Sequence, residues 1–136
     1  MKLLFIGDVV GKSGCDFLAA NIFKIKKEKG IDITVVNGEN SAQGNGMTKQ
    51  SAEFLLANGA DIITTGNHSF KRRESVSIYE ENDVVLRPSN YPEGVIGKGV
   101  TTLDMGRFSV AIINLMGVVY MEPIGNPFDE ADRLLK

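Results

Sequence analysis

A chain of 136 residues and 14.8 kDa is the size of one ordinary domain and can bury most of its apolar surface in a single core. Its 43% hydrophobic and 24% charged residues exclude a disordered or fibrous chain. A net charge of −2 argues against duplex nucleic acid as the main partner, and the single cysteine, Cys15, excludes an internal disulfide.

The apolar start, Leu3-Leu4-Phe5-Ile6, ends in Gly7-Asp8 and has the continuous character of a central parallel strand covered on both faces. From Ser13 to Lys29 the residues Cys15, Leu18, Ile22 and Ile25 recur at helical spacing, and Gly30 supplies a left-handed stop. The interspersed Lys24, Lys26, Lys27 and Lys29 read as a solvated face of that helix. Ile33 to Val36 is a β-branched strand running into Asn37-Gly38-Glu39-Asn40, and a small, polar loop follows from Ser41 to Gly46. Thr48 caps a second helix whose Ala52, Leu55 and Leu56 face inward, Asn58-Gly59 ends it, and Asp61 to Thr65 forms a third strand stopped by Gly66.

A short helix is expected over 73–81, a fourth strand over 84–86 and a loop over 87–99. Val100 to Asp104 and Phe108 to Leu115, joined by the turn at Met105-Gly106, form a β-hairpin, and Pro127 opens a last helix running to Lys136. The alternation of strands and helices implies a mostly parallel α/β sheet, which collects ligands beyond the carboxyl ends of its strands.

Asp8, Glu39-Asn40 and Asn67-His68 each follow a predicted strand directly, so three strand ends deliver them to one rim. Carboxylate and amide oxygens suit hard divalent cations, and a pair of cations needs a carboxylate to bridge them. His68, the only histidine, is placed to protonate a departing alkoxide. Each residue also has a plain structural use: Asp8 as a helix cap, Glu39-Asn40 as loop polarity, His68 as a turn residue. Three such tips led by glycines favour the functional reading.

The segments Gly7-Asp8-Val9-Val10-Gly11, Asn37-Gly38-Glu39-Asn40, Thr65-Gly66-Asn67-His68, Arg87-Pro88-Ser89-Asn90-Tyr91-Pro92 and Ile113-Asn114-Leu115-Met116-Gly117 resemble the YmdB family of calcineurin-like metallophosphoesterases over essentially the whole chain. That resemblance implies a layered calcineurin-like metallophosphoesterase sheet with flanking helices. Residues 1–136 would be the N-terminal portion of a single such domain, truncated at its C-terminal half. It implies two divalent metal ions, iron or manganese, held in part by Asp8, a bridging Glu39, Asn40 and Asn67. His68 would assist the leaving group in hydrolysis of phosphodiesters, including cyclic nucleotides. Val10 stands where the broader superfamily has a histidine, as in the YmdB branch. The family's further metal-binding histidines lie in its C-terminal half. With His68 as the only histidine, the expectation is therefore a chain that is weakly active or inactive alone. An open apolar edge would then receive a complementary half or a second copy.

The runner-up is a non-catalytic remnant of that fold that binds a nucleotide, RNA or protein. A phosphate-binding P-loop is a poor match, because Gly7 to Gly11-Lys12-Ser13 has three residues between its glycines where four are needed. Gly44-Asn45-Gly46 lacks the third glycine of a dinucleotide fingerprint. Tyr91 has two readings, a ring that stacks on a base or an anchor for its loop. Met116, Tyr120, Met121 and Phe128 are either a partner surface or core that awaits its complement. The lone cysteine fits a reducing, cytoplasmic setting, and no run approaches the ~18 apolar residues of a membrane span.

Overall fold

The computed structural model describes residues 1–136. Four strands, β1 (Leu3–Ile6), β2 (Ile33–Asn37), β3 (Ile62–Thr64) and β4 (Val85–Leu86), form one parallel sheet in the order β1-β2-β3-β4. Helices α1 (Gly11–Lys29), α2 (Lys49–Ala57) and α3 (Ser75–Glu81) connect them. Each crossover steps one strand in the same direction, and right-handed crossovers of that kind leave their helices on one face. Accordingly Cys15, Leu18 and Ile22 of α1, Ala52 and Leu55 of α2, and Ile78 and Tyr79 of α3 share a core with Val36, Ile63 and Val85. Ile22, Leu55 and Ile63 are essentially fully buried, each worth roughly 1.5–3 kcal/mol.

The opposite face carries Ile33, Val35, Ile62 and Leu86, covered by Leu103, Met105, Val110 and Ile112 from an antiparallel hairpin, β5 (Val100–Asp104) and β6 (Ser109–Ile113). The hairpin is tied to the parallel sheet: Leu86 bridges Lys98, and the buried Asn114 side-chain amide donates to Thr65 O at 2.8 Å and Leu86 O at 3.0 Å. The closing helix, α4 (Pro127–Leu134), buries none of its residues.

Helix boundaries follow the sequence signals closely. Gly30 ends α1 at φ 62°, a left-handed conformation that glycine adopts without a Cβ penalty. Thr48 and Ser51 form a reciprocal capping box at the start of α2, satisfying two otherwise orphaned donors. Helix α1 begins two residues before the expected Ser13, and α4 ends two residues before Lys136.

The expectation of a central, fully covered first strand is corrected. β1 lies at the sheet edge, and Leu3 and Phe5, which share a face with Ile33 and Val35 through the parallel register, are 41% and 60% exposed. A continuous apolar run reports what can be covered, not what is. The lysine face is also only partly solvated, because Lys26 donates to Asp61 Oδ2 at 3.0 Å and to Gly59 O, fastening α1 to the start of β3. Of the four residues near the C-terminus with two readings, Met116 is buried, whereas Tyr120, Met121 and Phe128 are exposed. No helix is long and apolar enough to cross a membrane.

Helix α4 is held to the 87–99 loop mainly by Glu130, which accepts hydrogen bonds from Arg133 and from the Ser89 hydroxyl at 2.6 Å. Arg133 and Ser89 lower its carboxyl from 4.5 to about 2. A depressed carboxylate stabilises the fold fully above its unfolded value and loses that contribution as pH falls through the folded one. Docking of α4 should therefore be constant above pH 4.5 and weaken as pH falls towards 2. Amide exchange across residues 127–134 would show this, and Glu130→Gln should remove the pH dependence. A Glu130→Gln profile unchanged from wild type would show that another group governs docking.

Candidate active site

Parallel pairing sends β1, β2 and β3 out of the sheet at one edge, and the three polar tips meet there. The carbonyl of Asn37 accepts from Val9 N at 3.0 Å, and Gly38 N donates to Thr64 O at 3.0 Å, so neighbouring strand exits are sewn together just before they diverge. Asn40 is central. Its Nδ2 donates to Asp8 Oδ1 at 2.7 Å, and its Oδ1 lies 2.5 Å from His68 Nδ1. Because the carboxylate can only accept, the amide must present its nitrogen to Asp8 and its oxygen to the ring. His68 therefore carries a proton on Nδ1, leaving Nε2 free. Glu39 Oε2 accepts from His68 N at 3.1 Å. Asn67 is half-buried in the same turn, and no hydrogen bond of its amide joins this chain of contacts.

Asp8 does not cap the following helix. The α1 N-cap is Val10, without a side-chain cap, and Gly11 N instead donates to Asn40 O at 2.9 Å. Asp8 is exposed and has φ 43°, a left-handed backbone that costs an aspartate about 1–3 kcal/mol. Its only side-chain hydrogen bond is the one from Asn40, so the strain serves to aim a carboxylate across the rim.

Two glycines make the approach feasible. A Cβ on Gly38 would lie 2.8 Å from Leu55 Cδ1 and 3.0 Å from Ile63 Cγ2, so the turn after β2 can dip against the core only without a side chain. A Cβ on Gly66 would lie 2.8 Å from both Glu39 carboxylate oxygens, so Gly66 forms the cradle in which that carboxylate rests.

The turn that carries Asn67 and His68 is braced from below by groups that sequence reasoning missed. Ser69 Oγ donates to Gly66 O at 2.6 Å, and the buried Tyr79 hydroxyl donates to Thr65 Oγ1 at 3.0 Å. Thr65 Oγ1 also reaches Leu86 O and Ser69 Oγ, each at 2.8 Å. Burial raises the Tyr79 phenol above its ordinary value, while its hydroxyl partners oppose that rise. On the other side, Arg72 donates to Ala42 O at 3.0 Å and Asn45 O at 2.8 Å, stapling the 41–46 loop to the turn after His68. A serine three residues after a glycine carries only a weak local signal, and the Tyr79 and Arg72 contacts carry none, because their partners are distant in sequence.

The oxygen donors here fit a hard divalent cation on one side. Glu39 sits in a cradle built to receive it, and Asp8 keeps an oxygen free of intrachain hydrogen bonds. They do not by themselves complete a pair of cation sites, because no group of three or more His, Cys, Asp or Glu side chains comes together anywhere in the chain. Asn40 Oδ1 is occupied by His68, so ligation by that oxygen requires the ring to release it. The largest cavity, about 440 Å³ between α1, the 41–46 loop and α2, holds none of Asp8, Glu39 or His68.

An α/β domain with two carboxylates, two amides and an imidazole on the carboxyl rim of a parallel sheet belongs to the class of proteins that gather ligands at strand ends. More particularly, the chain belongs to the YmdB-like protein family, which matches residues 4–136. It is 39% identical over 135 residues to a 2′,3′-cyclic-nucleotide 2′-phosphodiesterase of Bacillus subtilis, covering 99% of this chain and 51% of that protein. Among solved structures, a hypothetical protein from Thermus thermophilus matches with a TM-score of 0.92 and 36% identity, over 99% of this chain and 52% of that one. A structure described as a novel phosphatase from Mycoplasma pneumoniae matches with a TM-score of 0.91 and 29% identity, over 99% and 50%. The chain thus spans about half the length of the relatives it matches.

Gly66→Ala tests the cradle. The clashing atoms belong to the end of a flexible side chain, so the unfolding free energy should change by no more than about 1 kcal/mol. Manganese affinity, followed by the electron paramagnetic resonance signal of the free ion, should fall about ten- to hundredfold. Undiminished affinity would show that Glu39 is not a ligand in that position.

Proposed function

We propose that this chain forms one side of a metal-dependent phosphodiesterase site acting on cyclic nucleotides. The observation that carries the reading is the linked run Asp8–Asn40–His68, with Glu39 accepting from the His68 backbone, at the ends of three parallel strands. The name of the B. subtilis relative brings the substrate class, a 2′,3′-cyclic nucleotide, to this reading.

In this reading Asp8, Glu39 and Asn67 would hold two divalent cations, iron or manganese, together with ligands from a complementary half or a second copy, while Asn40 keeps its oxygen on the His68 ring. When bound, such cations would supply a more acidic water and positive charge beside the phosphoryl oxygens. The layered, calcineurin-like arrangement is completed on the open side, where the unpaired β1 edge and the exposed Leu3 and Phe5 provide apolar surface to cover.

His68 has the role of proton donor. Asn40 fixes the ring through Nδ1, and the Asp8 carboxylate holds Asn40 in turn, so the ring cannot rotate without breaking its contact with an amide that is itself held in place. Nε2 then faces away from these partners, and in the imidazolium form it can give its proton to the departing ribose oxygen. Glu39, accepting from the His68 backbone N–H, ties that turn to the loop after β2.

The second reading, a non-catalytic binding module, draws on the lack of any three-membered His, Cys, Asp or Glu cluster. Metal content and manganese-dependent hydrolysis of bis-p-nitrophenyl phosphate separate the two. The phosphodiesterase reading expects hydrolysis that Glu39→Gln reduces at least about a hundredfold, since the amide keeps the shape but not the charge. Full activity in Glu39→Gln overturns the cation mechanism; no metal and no turnover even when the complementary half is supplied supports the binding module.

His68→Ala should slow release of an alkoxide such as a ribose hydroxyl by about 10²–10⁴-fold, and release of p-nitrophenolate much less. Equal losses on both leaving groups would remove His68 from the role of acid.

A further inference from the structure

The loop over 87–99 is anchored by hydrogen bonds of Arg87 and Asn90. Arg87 donates to the carbonyls of Pro88 at 2.7 Å, Val95 at 3.1 Å and Ile96 at 3.2 Å, closing the loop on itself. Asn90, 3% exposed, donates to Met116 O at 2.8 Å and Gly125 O at 2.7 Å and accepts from Met116 N at 3.0 Å. Burial lowers the Arg87 guanidinium from its ordinary value, as befits a cation spent on backbone carbonyls.

Tyr91 lies next to Asn90 in this clamped loop. Its ring is half-buried and meets Phe70 edge to face, with centroids 5.5 Å apart. Phe70 in turn packs on Tyr79 at 5.2 Å, and it follows His68 by two residues. The ring therefore stands at the end of an aromatic row that begins under the His68 turn. No hydrogen bond ties its hydroxyl to the protein, unlike that of Tyr79. Burial first, and then the charges of Glu122 and Glu39, raise the phenol above its ordinary value, against the opposing charge of Arg87. Tyr91 also lines a cavity of about 330 Å³ with Arg87, Ser89, Lys98 and Arg133.

We propose that Tyr91 is a specificity residue whose ring stacks on the nucleobase of a nucleotide whose phosphate sits at the Asp8–Glu39–His68 rim. The inference rests on the phosphodiesterase reading and adds to it the part of the substrate that is read. A half-exposed ring already seated edge-on against a second ring loses little side-chain freedom on meeting a base. Base–aromatic stacking of this kind is worth about 1–3 kcal/mol per base in other nucleotide-binding proteins, and every base offers a face for it.

The test compares adenosine 3′-phosphate, the product of opening the 2′ bond of the cyclic nucleotide, with inorganic phosphate, which has no base. Calorimetric titration of the full chain in manganese should show Tyr91→Leu weakening the nucleotide about tenfold relative to phosphate, with Tyr91→Phe restoring the wild-type ratio. The chain has no tryptophan, so quenching of tyrosine emission by the nucleotide should be lost in Tyr91→Leu. An unchanged ratio in Tyr91→Leu overturns the base contact alone. Equal weakening of nucleotide and phosphate overturns it in favour of loop anchoring, and failure of Tyr91→Phe to rescue replaces stacking with a hydroxyl contact. A wild-type chain that binds neither probe even when the complementary half is supplied overturns the phosphodiesterase reading and this inference together.

Discussion

Because β1, β2 and β3 pair in parallel, with Ile6 beside Val36 and Asn37 beside Thr64, all three chains leave the sheet at the same edge and within a few residues of one another. Each exit then turns through a glycine, at Gly7, Gly38 and Gly66, before presenting its polar side chains. An antiparallel pairing of the same segments would send alternate tips to opposite ends of the sheet. The Asp8–Asn40–His68 contacts are thus a consequence of register, and the cores on both faces of the sheet hold that register in place.

The rim is rigid below and open above. Below it, Thr65, Ser69, Tyr79 and Asn114 form buried hydrogen bonds that position the His68 turn, and Gly38 rests directly on Leu55 and Ile63. Above it, Asp8 is exposed and Glu39, Asn40, Asn67 and His68 are only half-buried. A site of this form is preorganised on one side, since its side chains are aimed by neighbours they do not share with solvent. The strained backbone of Asp8 fits the same pattern: the surrounding contacts force a conformation that an isolated aspartate would avoid.

The two faces of the sheet are unequal. All three crossover helices lie on one side, as the stepwise strand order dictates, and the other side is covered only by the β5–β6 hairpin over β2 to β4. β1 consequently has an unpaired edge and an uncovered face, where Leu3 and Phe5 stand exposed. The same asymmetry leaves α4, attached through Glu130 and Ser89, with no buried residue. In a chain that spans about half the length of its relatives, apolar side chains stand exposed on β1 at Leu3 and Phe5, on α1 at Phe17 and Phe23, and near the C-terminus at Tyr120, Met121 and Phe128.

The sequence by itself determined the alternation of strands and helices, the helix stops at Gly30 and caps at Thr48, and the set of polar residues that follow the strands, because these depend on local periodicity and backbone chemistry. Membership of the YmdB-like family was likewise legible, since its motifs are short runs placed at strand ends. Sequence misplaced β1 at the centre of the sheet, because an apolar strand reads the same whether or not its second face is covered. Only the tertiary structure decided that Asn40 links Asp8 to His68, that Gly66 cradles Glu39, and that Arg87 and Asn90 clamp the loop that seats Tyr91 against Phe70. Each of these depends on distances between residues far apart in sequence, and such distances are set by how the sheet and its loops pack and not by any local pattern.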